Sequence, residues 1–343
     1  MNRFKQNRKR MWLAGFVLLW AGAVVIGNRA SAAAAQLVWP PPPDQPRIAY
    51  VQGISNPSDA GVRASLFHRL SNWLSGAVQG GEPLNHPFGI AVDEAGDFCV
   101  TDTAADAVCY FDRTAKRWYR WTEVGGVAFS SPVAVAKAGN TLYVADSVLG
   151  AIIAFDLEGR LLFRVTDQLT RPSGLAISAD RLLVADAARH CIAIFDLRGK
   201  FLSRFGTRGA GAGEFNFPTH VAADSRGHIY VTDSMNSRVE LFDGNGKFER
   251  QIGGPGDGPG TFSRPKGIAV DGGGRVYVVD ALFGNVQIFD SSGLLLLDFG
   301  RAGSGPGEFS LPAGIAVGTD NLVYVADTYN GRVQVFKYVG GDK

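Results

Sequence analysis

The 343-residue sequence predicts an all-β protein, because three patterns recur together along most of its length. Six segments open with a proline and a short apolar run, and each is followed by a second apolar run that ends in aspartate. The repeat aspartates are spaced 40 to 47 residues apart, and every repeat has a third run that ends in phenylalanine. Short apolar runs bounded by Gly, Asp and Asn are typical of strands, so this periodicity predicts a six-bladed β-propeller.

The first run of each repeat is the predicted inner strand of a blade. It reads Pro-x-Gly-Ile-Ala-Val in its fullest form and begins at Pro87, Pro132, Pro172, Pro218, Pro265 and Pro312. A turn such as Gly244-Asn245-Gly246 precedes a fourth run in most repeats and is typical of a hairpin. Such a repeat cannot bury its sheet faces alone, and stacking the blades in a closed ring both buries them and removes exposed edges.

Closure of the ring needs a strand from outside the repeats. The sixth repeat has only three apolar runs and ends at Lys337-Tyr338-Val339. The segment from Pro46 to Gly53 has the length of a fourth strand and precedes the first repeat. We therefore expect this N-terminal strand to complete the last blade, so that the propeller spans residues 46–339.

The first 35 residues have the order of an export signal. A basic stretch, Arg3 to Arg10, precedes an apolar run over residues 11–27, and small residues such as Ala30-Ser31-Ala32 follow. This order is typical of a cleaved signal peptide, and an uncleaved N-terminal anchor is the alternative. Both alternatives predict a periplasmic or extracellular propeller. Contact with a membrane is expected only through residues 11–27, as an inner-membrane anchor if the segment is not cleaved.

Two further segments lie outside the repeats. Residues 36–45 contain four consecutive prolines and are expected to form an extended spacer. Residues 54–86 are an insertion between the closing strand and the first blade. Within the insertion, apolar side chains at helical spacing predict one short helix over about residues 62–75, which docks on the propeller or contacts a partner.

Charge argues against a nucleic-acid partner. Six of the 34 Lys and Arg residues precede residue 36, whereas all 32 Asp and Glu residues follow it. The remainder therefore has 28 basic and 32 acidic residues, a net charge of −4. Nucleic-acid-binding domains carry the opposite excess. The three cysteines, Cys99, Cys109 and Cys191, form no metal-binding motif and are expected to be buried free thiols.

The repeat consensus resembles the NHL repeat. Pro-x-Gly-Ile-Ala-Val-Asp, then Val-Tyr-Val-x-Asp, then Asn-x-Arg-Val is most complete around Asn236-Ser237-Arg238 and Asn330-Gly331-Arg332. The first three repeats lack the Asn-x-Arg element. The whole chain is similar to secreted bacterial NHL-repeat propellers that have a Trp-Pro-rich start. The resemblance implies a six-bladed propeller, and it leaves the ligand open.

The aspartate that ends each second run is interpreted as structural, because a residue that recurs in every blade serves the blade. These residues are Asp102, Asp146, Asp186, Asp233, Asp280 and Asp327. Three Gly-rich stretches precede the fourth, fifth and sixth repeats and lack the Gly-Lys-Ser/Thr of a phosphate loop. They are interpreted as loops between blades.

The histidines argue against a metal-dependent lyase. In amidating lyases with similar repeats, a His directly after the repeat Pro supplies the metal ligands. Here that position holds Phe88, Val133, Ser173, Thr219, Lys266 and Ala313. One nearby histidine, His220, cannot build a zinc site, which needs about three protein ligands. The sequence therefore predicts no catalytic residue, no metal ligand and no cofactor, although lactonase-type propellers use carboxylate and Asn ligands that many Asp residues can supply.

One face of the propeller is predicted to gather positive charge. The turns after the second strands and the loops before each repeat Pro emerge on the same side, because antiparallel strands alternate direction. The expected binding face comprises His220 and Lys266 nearest the channel, with Arg171, Arg189, His190, Arg238, Arg264 and Arg332 around them. The sequence thus favours an exported, non-enzymatic binding or scaffold propeller for a protein or anionic ligand. A hydrolase or lyase with a metal in the central channel is the alternative.

Overall fold

The computed structural model describes residues 36–62 and 82–340, and these residues form one compact unit. Six antiparallel sheets follow each other along the chain, as the repeat pattern predicts. In residues 36–62 and 82–340 the only helices are two 3₁₀ turns, Ser234–Asn236 and Thr328–Asn330. The expected export segment lies outside the described residues, as does almost all of the helix expected over residues 62–75.

The strands of the closing segment and of the first three blades follow the chain order. The closing segment has β1 (Val38–Trp39) and β2 (Ile48–Ile54). Blade 1 has β3 (Pro87–Val92), β4 (Phe98–Asp102), β5 (Ala107–Asp112) and β6 (Arg117–Trp121), and a small hairpin follows with β7 (Glu123–Val124) and β8 (Val127–Ala128). Blade 2 has β9 (Pro132–Ala138), β10 (Thr141–Asp146), β11 (Ala151–Asp156) and β12 (Leu161–Val165). Blade 3 has β13 (Pro172–Ser178), β14 (Arg181–Asp186), β15 (Cys191–Asp196) and β16 (Phe201–Phe205).

The last three blades repeat this order with a short parallel pair in two of the connecting loops. The first pair is β17 (Thr207–Arg208) with β18 (Glu214–Phe215), and blade 4 has β19 (Pro218–Ala223), β20 (Ile229–Asp233), β21 (Arg238–Phe242) and β22 (Phe248–Ile252). Blade 5 has β23 (Pro265–Val270), β24 (Val276–Asp280), β25 (Asn285–Phe289) and β26 (Leu295–Phe299). The second pair is β27 (Arg301–Ala302) with β28 (Glu308–Phe309), and blade 6 has β29 (Ile315–Val317), β30 (Leu322–Asp327) and β31 (Arg332–Tyr338).

The N-terminal strand closes the ring, as predicted from the missing fourth run. Strand β2 pairs antiparallel with β31, with Ile48 opposite Tyr338 and Ile54 opposite Val333. The segment expected to be only a spacer also takes part, which corrects the expectation for residues 36–45. Its strand β1 pairs with β2, and the Trp39 ring lies 5.8 Å from the Phe336 ring. The partly buried indole packs against the core of blade 6, and this contact stabilises the pairing of Val38–Trp39 with β2.

The core of the protein lies between the blades. Each of the six buried apolar clusters joins side chains of two neighbouring blades, and one of them joins blade 6 to blade 1. The Gly-rich loops add Phe215, Phe262 and Phe309 to these clusters, and all three rings are buried. The inner strands β3, β9, β13, β19, β23 and β29 contact each other in sequence and close on themselves. They therefore surround a central channel.

The cysteines behave as buried apolar residues. Cys99 lies opposite Tyr110 and Cys109 lies opposite Val100, so the two thiols are on opposite faces of the blade 1 sheet. All three cysteines are free and buried. Burial raises the pKa of the Cys191 thiol to about 11, which keeps it protonated at neutral pH.

Candidate functional site

In five of the six blades, the residue after the repeat proline lies at the mouth of the central channel. Phe88, Val133, Ser173, Thr219 and Lys266 all line one cavity of about 440 Å³. The sixth residue of this set, Ala313, is fully buried. The same strand position therefore comes from five blades to form one site.

The repeat glycine that follows brings the inner strands close together at this level. A Cβ atom added at Gly89 would lie 2.6 Å from the backbone oxygen of Val133 in the next blade, and the glycines of blades 3, 5 and 6 are equally crowded. Blade 4 carries His220 instead of glycine at this position. At this position the other blades have glycine or, in blade 2, Ala134. The imidazole of His220 is therefore the one large side chain among the six at this level of the channel.

His220 lies in an apolar environment. Both of its ring nitrogens are buried and have no hydrogen-bond partner within the described part of the chain. Desolvation, together with the positive charge of Lys266, lowers the pKa of His220 to about 3. The imidazole is therefore neutral at physiological pH. Phe88 reaches towards the imidazole from blade 1, on the opposite side of the propeller. The two aromatic rings are stacked, with centroids 6.2 Å apart.

Lys266 is the cation nearest to this aromatic pair. Its Nζ lies 5.1 Å from the centroid of the Phe88 ring, a cation–π distance. Desolvation lowers the pKa of Lys266, and the neighbouring Arg264 lowers it further. Within residues 36–62 and 82–340, none of the side chains of Lys266, Arg264 and Arg171 forms an ion pair. All three line the cavity, and no aspartate or glutamate does.

The hydroxyl groups around the cavity connect neighbouring blades. Ser173 Oγ donates to the backbone oxygen of Pro218 at 3.0 Å, and Ser234 Oγ donates to that of Pro265 at 2.6 Å. Thr328 Oγ1 makes the same bond to Pro87 at 2.9 Å and joins blade 6 to blade 1. These protons are used within the fold, so Ser173 and Ser234 are poorly suited to act as nucleophiles.

Four of the eight residues predicted for the binding face lie outside the cavity. Arg238 is buried, and it donates to Asp233 Oδ2 at 3.0 Å and to the backbone oxygen of Glu214 at 2.7 Å. Arg332 makes the equivalent bonds to Asp327 and Glu308. Both guanidinium groups therefore fix a Gly-rich loop onto its blade and are not free to bind a ligand, in contrast to the role expected from the sequence.

The other two residues of this set also have internal partners. Arg189 Nε donates to Thr170 Oγ1 at 2.8 Å. His190 is buried, and its Nδ1 lies 3.2 Å from both the backbone nitrogen of Phe217 and the backbone oxygen of Phe215. The structure thus brings together His220, Lys266, Arg171 and Arg264 and separates them from the remaining four residues.

The repeat aspartates make the hydrogen bonds of a structural residue. The carboxylate of Asp102 accepts hydrogen bonds from the backbone nitrogens of Asn85 and His86 before the inner strand and of Ala104 and Ala105 in the hairpin. The other five carboxylates accept hydrogen bonds at the equivalent places in their blades. All six are buried. In the described ranges, no group of three or more His, Cys, Asp or Glu side chains is arranged to hold a metal ion.

The buried Glu240 of blade 4 differs from its counterparts, because blades 5 and 6 have glutamine there. Gln334 Oε1 accepts a hydrogen bond from Gly307 N at 2.9 Å, and its Nε2 donates to the backbone oxygen of Glu308 at 2.6 Å. Glu240 Oε1 accepts the first bond from Gly213 N at 3.2 Å, whereas its Oε2 has no partner in the described part of the chain. Desolvation raises the pKa of Glu240 to about 7, although Arg238 opposes the shift.

We expect the Glu240→Gln variant to be more stable than the parent protein by about 2 kcal/mol at pH 8, because the amide supplies the missing donor and removes a buried charge. A raised pKa in the folded state means that stability is fully present below the unfolded pKa and is lost as pH rises through the folded pKa. The advantage of the variant should therefore shrink from pH 8 towards pH 4.5 in urea unfolding curves. If Glu240→Gln is less stable than the parent protein at pH 8, then glutamine at this position does not make in blade 4 the hydrogen bonds that it makes in blade 6.

Sequence reasoning missed Phe88, Phe217 and Met235 as residues of the cavity. The signal for Phe88 is that it is the one aromatic residue among the six that directly follow a repeat proline. Met235 and Phe217 lie in the turn after a second strand and in the loop before an inner strand, and only the folded ring brings them together. Separately, the described residues include no helix long and apolar enough to cross a bilayer.

Comparisons with known proteins agree with this architecture. A family profile described as a 6-bladed beta-propeller matches residues 165–228 and 221–282, and the NHL repeat profile matches residues 309–336. No curated protein matches the chain.

Several solved structures are similar to the chain in fold. A virginiamycin B lyase from Staphylococcus aureus with quinupristin has 13% sequence identity and a TM-score of 0.55, covering 74% of this chain and 95% of that one. A gluconolactonase from Xanthomonas campestris has 16% identity and a TM-score of 0.56, covering 74% and 86%. A protein of unknown function from Bacteroides thetaiotaomicron has 15% identity and a TM-score of 0.59, covering 85% and 75%. At such low identity, the likeness shows the fold alone.

The NHL match covers most of blade 6, and the other profile covers blades 3 and 4 and part of blade 5. The six sheets, their shared interfaces and the closing N-terminal strand agree with both descriptions. The chain therefore contains an NHL repeat in blade 6 and has the fold of a six-bladed β-propeller.

Proposed function

We propose that the protein is an exported, non-enzymatic binding or scaffold propeller whose channel mouth binds an anionic group. The observation that carries the proposal is the set of three cations, Arg171, Arg264 and Lys266, which line one cavity without an acidic residue. Desolvation of Lys266 is costly unless a negative charge balances it. An anion bound between these side chains restores that balance and favours the charged form of the lysine.

The lining also sets the apolar character of the ligand. Phe88, Val133 and Met235 contribute apolar surface to the cavity, and the neutral His220 contributes an imidazole ring. A ligand with a negatively charged group and a flat or apolar remainder matches this lining. The charged group pairs with the cations, and the remainder packs on the apolar side chains, as is usual for small-molecule sites. We therefore propose an amphipathic anion, and we propose that the charge is held by Lys266 and Arg264.

Binding is favoured over catalysis by the protonation state of His220. A general base works best when its pKa lies near the operating pH, whereas the pKa of His220 is lowered to about 3. The second candidate is a hydrolase or lyase. It is favoured by the similarity in fold to a lyase and a gluconolactonase and by the unpaired imidazole at the channel. Metal analysis of the purified protein, with and without added divalent cations, tests the metal that this alternative requires.

Export is the part of the proposal that depends on the N-terminal sequence. The basic stretch and the apolar run over residues 11–27 support it, and both lie outside the described residues. A periplasmic or extracellular location also agrees with a site for an anionic or protein ligand rather than for nucleic acid, given the net charge of −4 after residue 35.

Two probes that differ only in charge test the anion site. We expect 2-naphthoate to bind and neutral 2-naphthamide to bind at least about tenfold more weakly in calorimetric titrations, because only the carboxylate pairs with the cations. The affinity for 2-naphthoate should fall at least about tenfold in Lys266→Gln and should decrease as salt increases.

Arg164→Gln is the matched control, since Arg164 is an exposed cation on the outer strand of blade 2. Its affinity for 2-naphthoate should equal that of the parent protein. Equal binding of the acid and the amide, or full binding by Lys266→Gln, would show that the cations do not form an anion site. Turnover of an ester or lactone substrate that disappears with a chelator would instead favour the enzyme.

A further inference from the structure

Large apolar side chains are exposed on the same face as the cationic cavity. Met235, Leu282 and Tyr329 stand at the second position after the repeat aspartates of blades 4, 5 and 6 and are 52%, 53% and 62% exposed. Phe217 and Leu311 precede the repeat prolines of blades 4 and 6 and are 39% and 40% exposed. We call these five residues the apolar rim.

The rim borders the cavity on one side of the mouth. Phe217 and Met235 line the cationic cavity itself. Leu282 and Leu311 line a second cavity of about 370 Å³ between blades 5 and 6. Blades 1 and 3 carry only Ala104 and Ala188 at the equivalent hairpin position. The apolar surface therefore extends over three consecutive blades.

The backbone holds two members of the rim in an unfavourable conformation. Phe217 has a φ of 56° and Leu311 a φ of 46°, and both directly precede a proline. The left-handed region is unfavourable for a residue with a side chain. The equivalent residues of the other blades, His86, Ser131, Arg171 and Arg264, do not have a positive φ. Among the six residues that precede a repeat proline, only these two apolar residues carry this strain, and strain beside a binding cavity indicates a functional role.

The extent of the rim decides the kind of ligand. A small molecule that fills a cavity of about 440 Å³ contacts Phe217 and Met235 and leaves Leu282, Leu311 and Tyr329 in water. Exposed apolar patches rimmed by polar residues mark protein interaction sites. A protein surface can cover all five side chains while one of its carboxylates enters the cationic mouth.

We propose that the ligand is a protein segment with an acidic side chain flanked by apolar residues. Its carboxylate pairs with Lys266 and Arg264, and its apolar side chains cover the rim over blades 4 to 6. This inference rests on the proposed function, because it uses the same cations. The apolar rim supplies most of the contact area, and the cations fix the register of the segment.

The test begins with a library of random 12-residue peptides displayed on phage and selected on the immobilised protein. We expect the selected peptides to combine Asp or Glu with aromatic or aliphatic residues. A selected peptide, made by synthesis, should bind Phe217→Ser and Leu311→Ser at least about tenfold more weakly than the parent protein. Lys266→Gln should weaken it similarly. Val148→Ser is the matched control, because Val148 is 71% exposed at the same hairpin position of blade 2, away from the rim.

Three results would overturn the inference. The first is selection of peptides without acidic residues, and the second is full binding by both rim variants. The third is a gain in affinity of tenfold or more when residues 63–81 are replaced by a Gly-Ser linker, since the chain's own insertion would then be the occupant of the rim. The 2-naphthoate titration separates the two proposals. If Phe217→Ser and Leu311→Ser bind the peptide normally while Lys266→Gln loses 2-naphthoate, only the protein partner is wrong.

Discussion

Deleting residues 37–53 should lower the melting temperature of the propeller by about 10 °C or more. The deletion removes β1 and most of β2, and with them the partner of β31 in blade 6. It exposes the buried Phe336 and leaves β31 as a free edge. Loss of the buried Ile48 and the packed Trp39 alone costs several kcal/mol, and 1 kcal/mol corresponds to roughly 2–4 °C in a domain of this size. Differential scanning calorimetry measures the shift.

Two further samples make this result specific. Val51→Ser changes an exposed side chain of the same strand and should alter stability by no more than about 0.5 kcal/mol. A synthetic peptide of residues 36–54, added to the truncated protein, should raise its melting temperature in proportion to the logarithm of the peptide concentration. If the truncated protein melts with the parent protein, the N-terminal strand does not hold the ring closed.

Replacing a repeat aspartate by alanine should have the second large effect, about 3–5 kcal/mol of lost stability. The carboxylate of Asp146 accepts hydrogen bonds from the backbone nitrogens of Ser130 and Ser131 at 2.7 and 3.1 Å and of Val148 and Leu149 at 3.1 and 3.0 Å. Asp146→Ala leaves these donors without their acceptor in a buried site. Urea unfolding of the variant measures the loss.

The matched control is Asp257→Ala, because Asp257 is exposed in a Gly-rich loop. Its unfolding curve should overlay that of the parent protein. The stability of Asp146→Asn should lie between those of Asp146→Ala and Asp257→Ala. Its amide oxygen still accepts some of the hydrogen bonds, whereas its amide nitrogen faces further donors. If Asp146→Ala is as stable as the parent protein, the repeat aspartates do not stabilise the fold through these hydrogen bonds.

The fold was largely predictable because its determinants are local and repeated. In every blade, the repeat proline stands at or near the start of the first strand and the repeat aspartate ends the second strand. Because the pattern occurs six times, it remains recognisable although single repeats depart from it. The missing fourth run of blade 6 predicted the role of Ile48–Ile54. The strand Val38–Trp39 was missed, because it contains only two residues and its stability comes from contacts of Trp39 with Phe299 and Phe336, which are distant in sequence.

The site was predictable only in part. The position after the repeat proline located Lys266, and the next position located His220, since both follow from the repeat alone. The predicted face failed for Arg238 and Arg332, because a charge pattern does not show which guanidinium groups are already paired. Their bonds to Asp233 and Asp327 depend on the folded hairpin, and their bonds to the Gly-rich loops depend on the path of those loops. The stacking of Phe88 on His220 joins opposite blades and has no local signal.

The pairing of β2 with β31 has a consequence for how the protein is made. The strand that completes blade 6 leaves the ribosome before blades 1 to 5, whereas its partner β31 leaves after them. At about 5–20 residues per second, roughly 15–60 s pass between the synthesis of the two. During this time Ile48–Ile54 is an apolar strand without its neighbour, while blades 1 to 5 have all their own strands. Completion of blade 6 is therefore the step with the longest loop to close, and it can follow only after blades 1 to 5 have been synthesised.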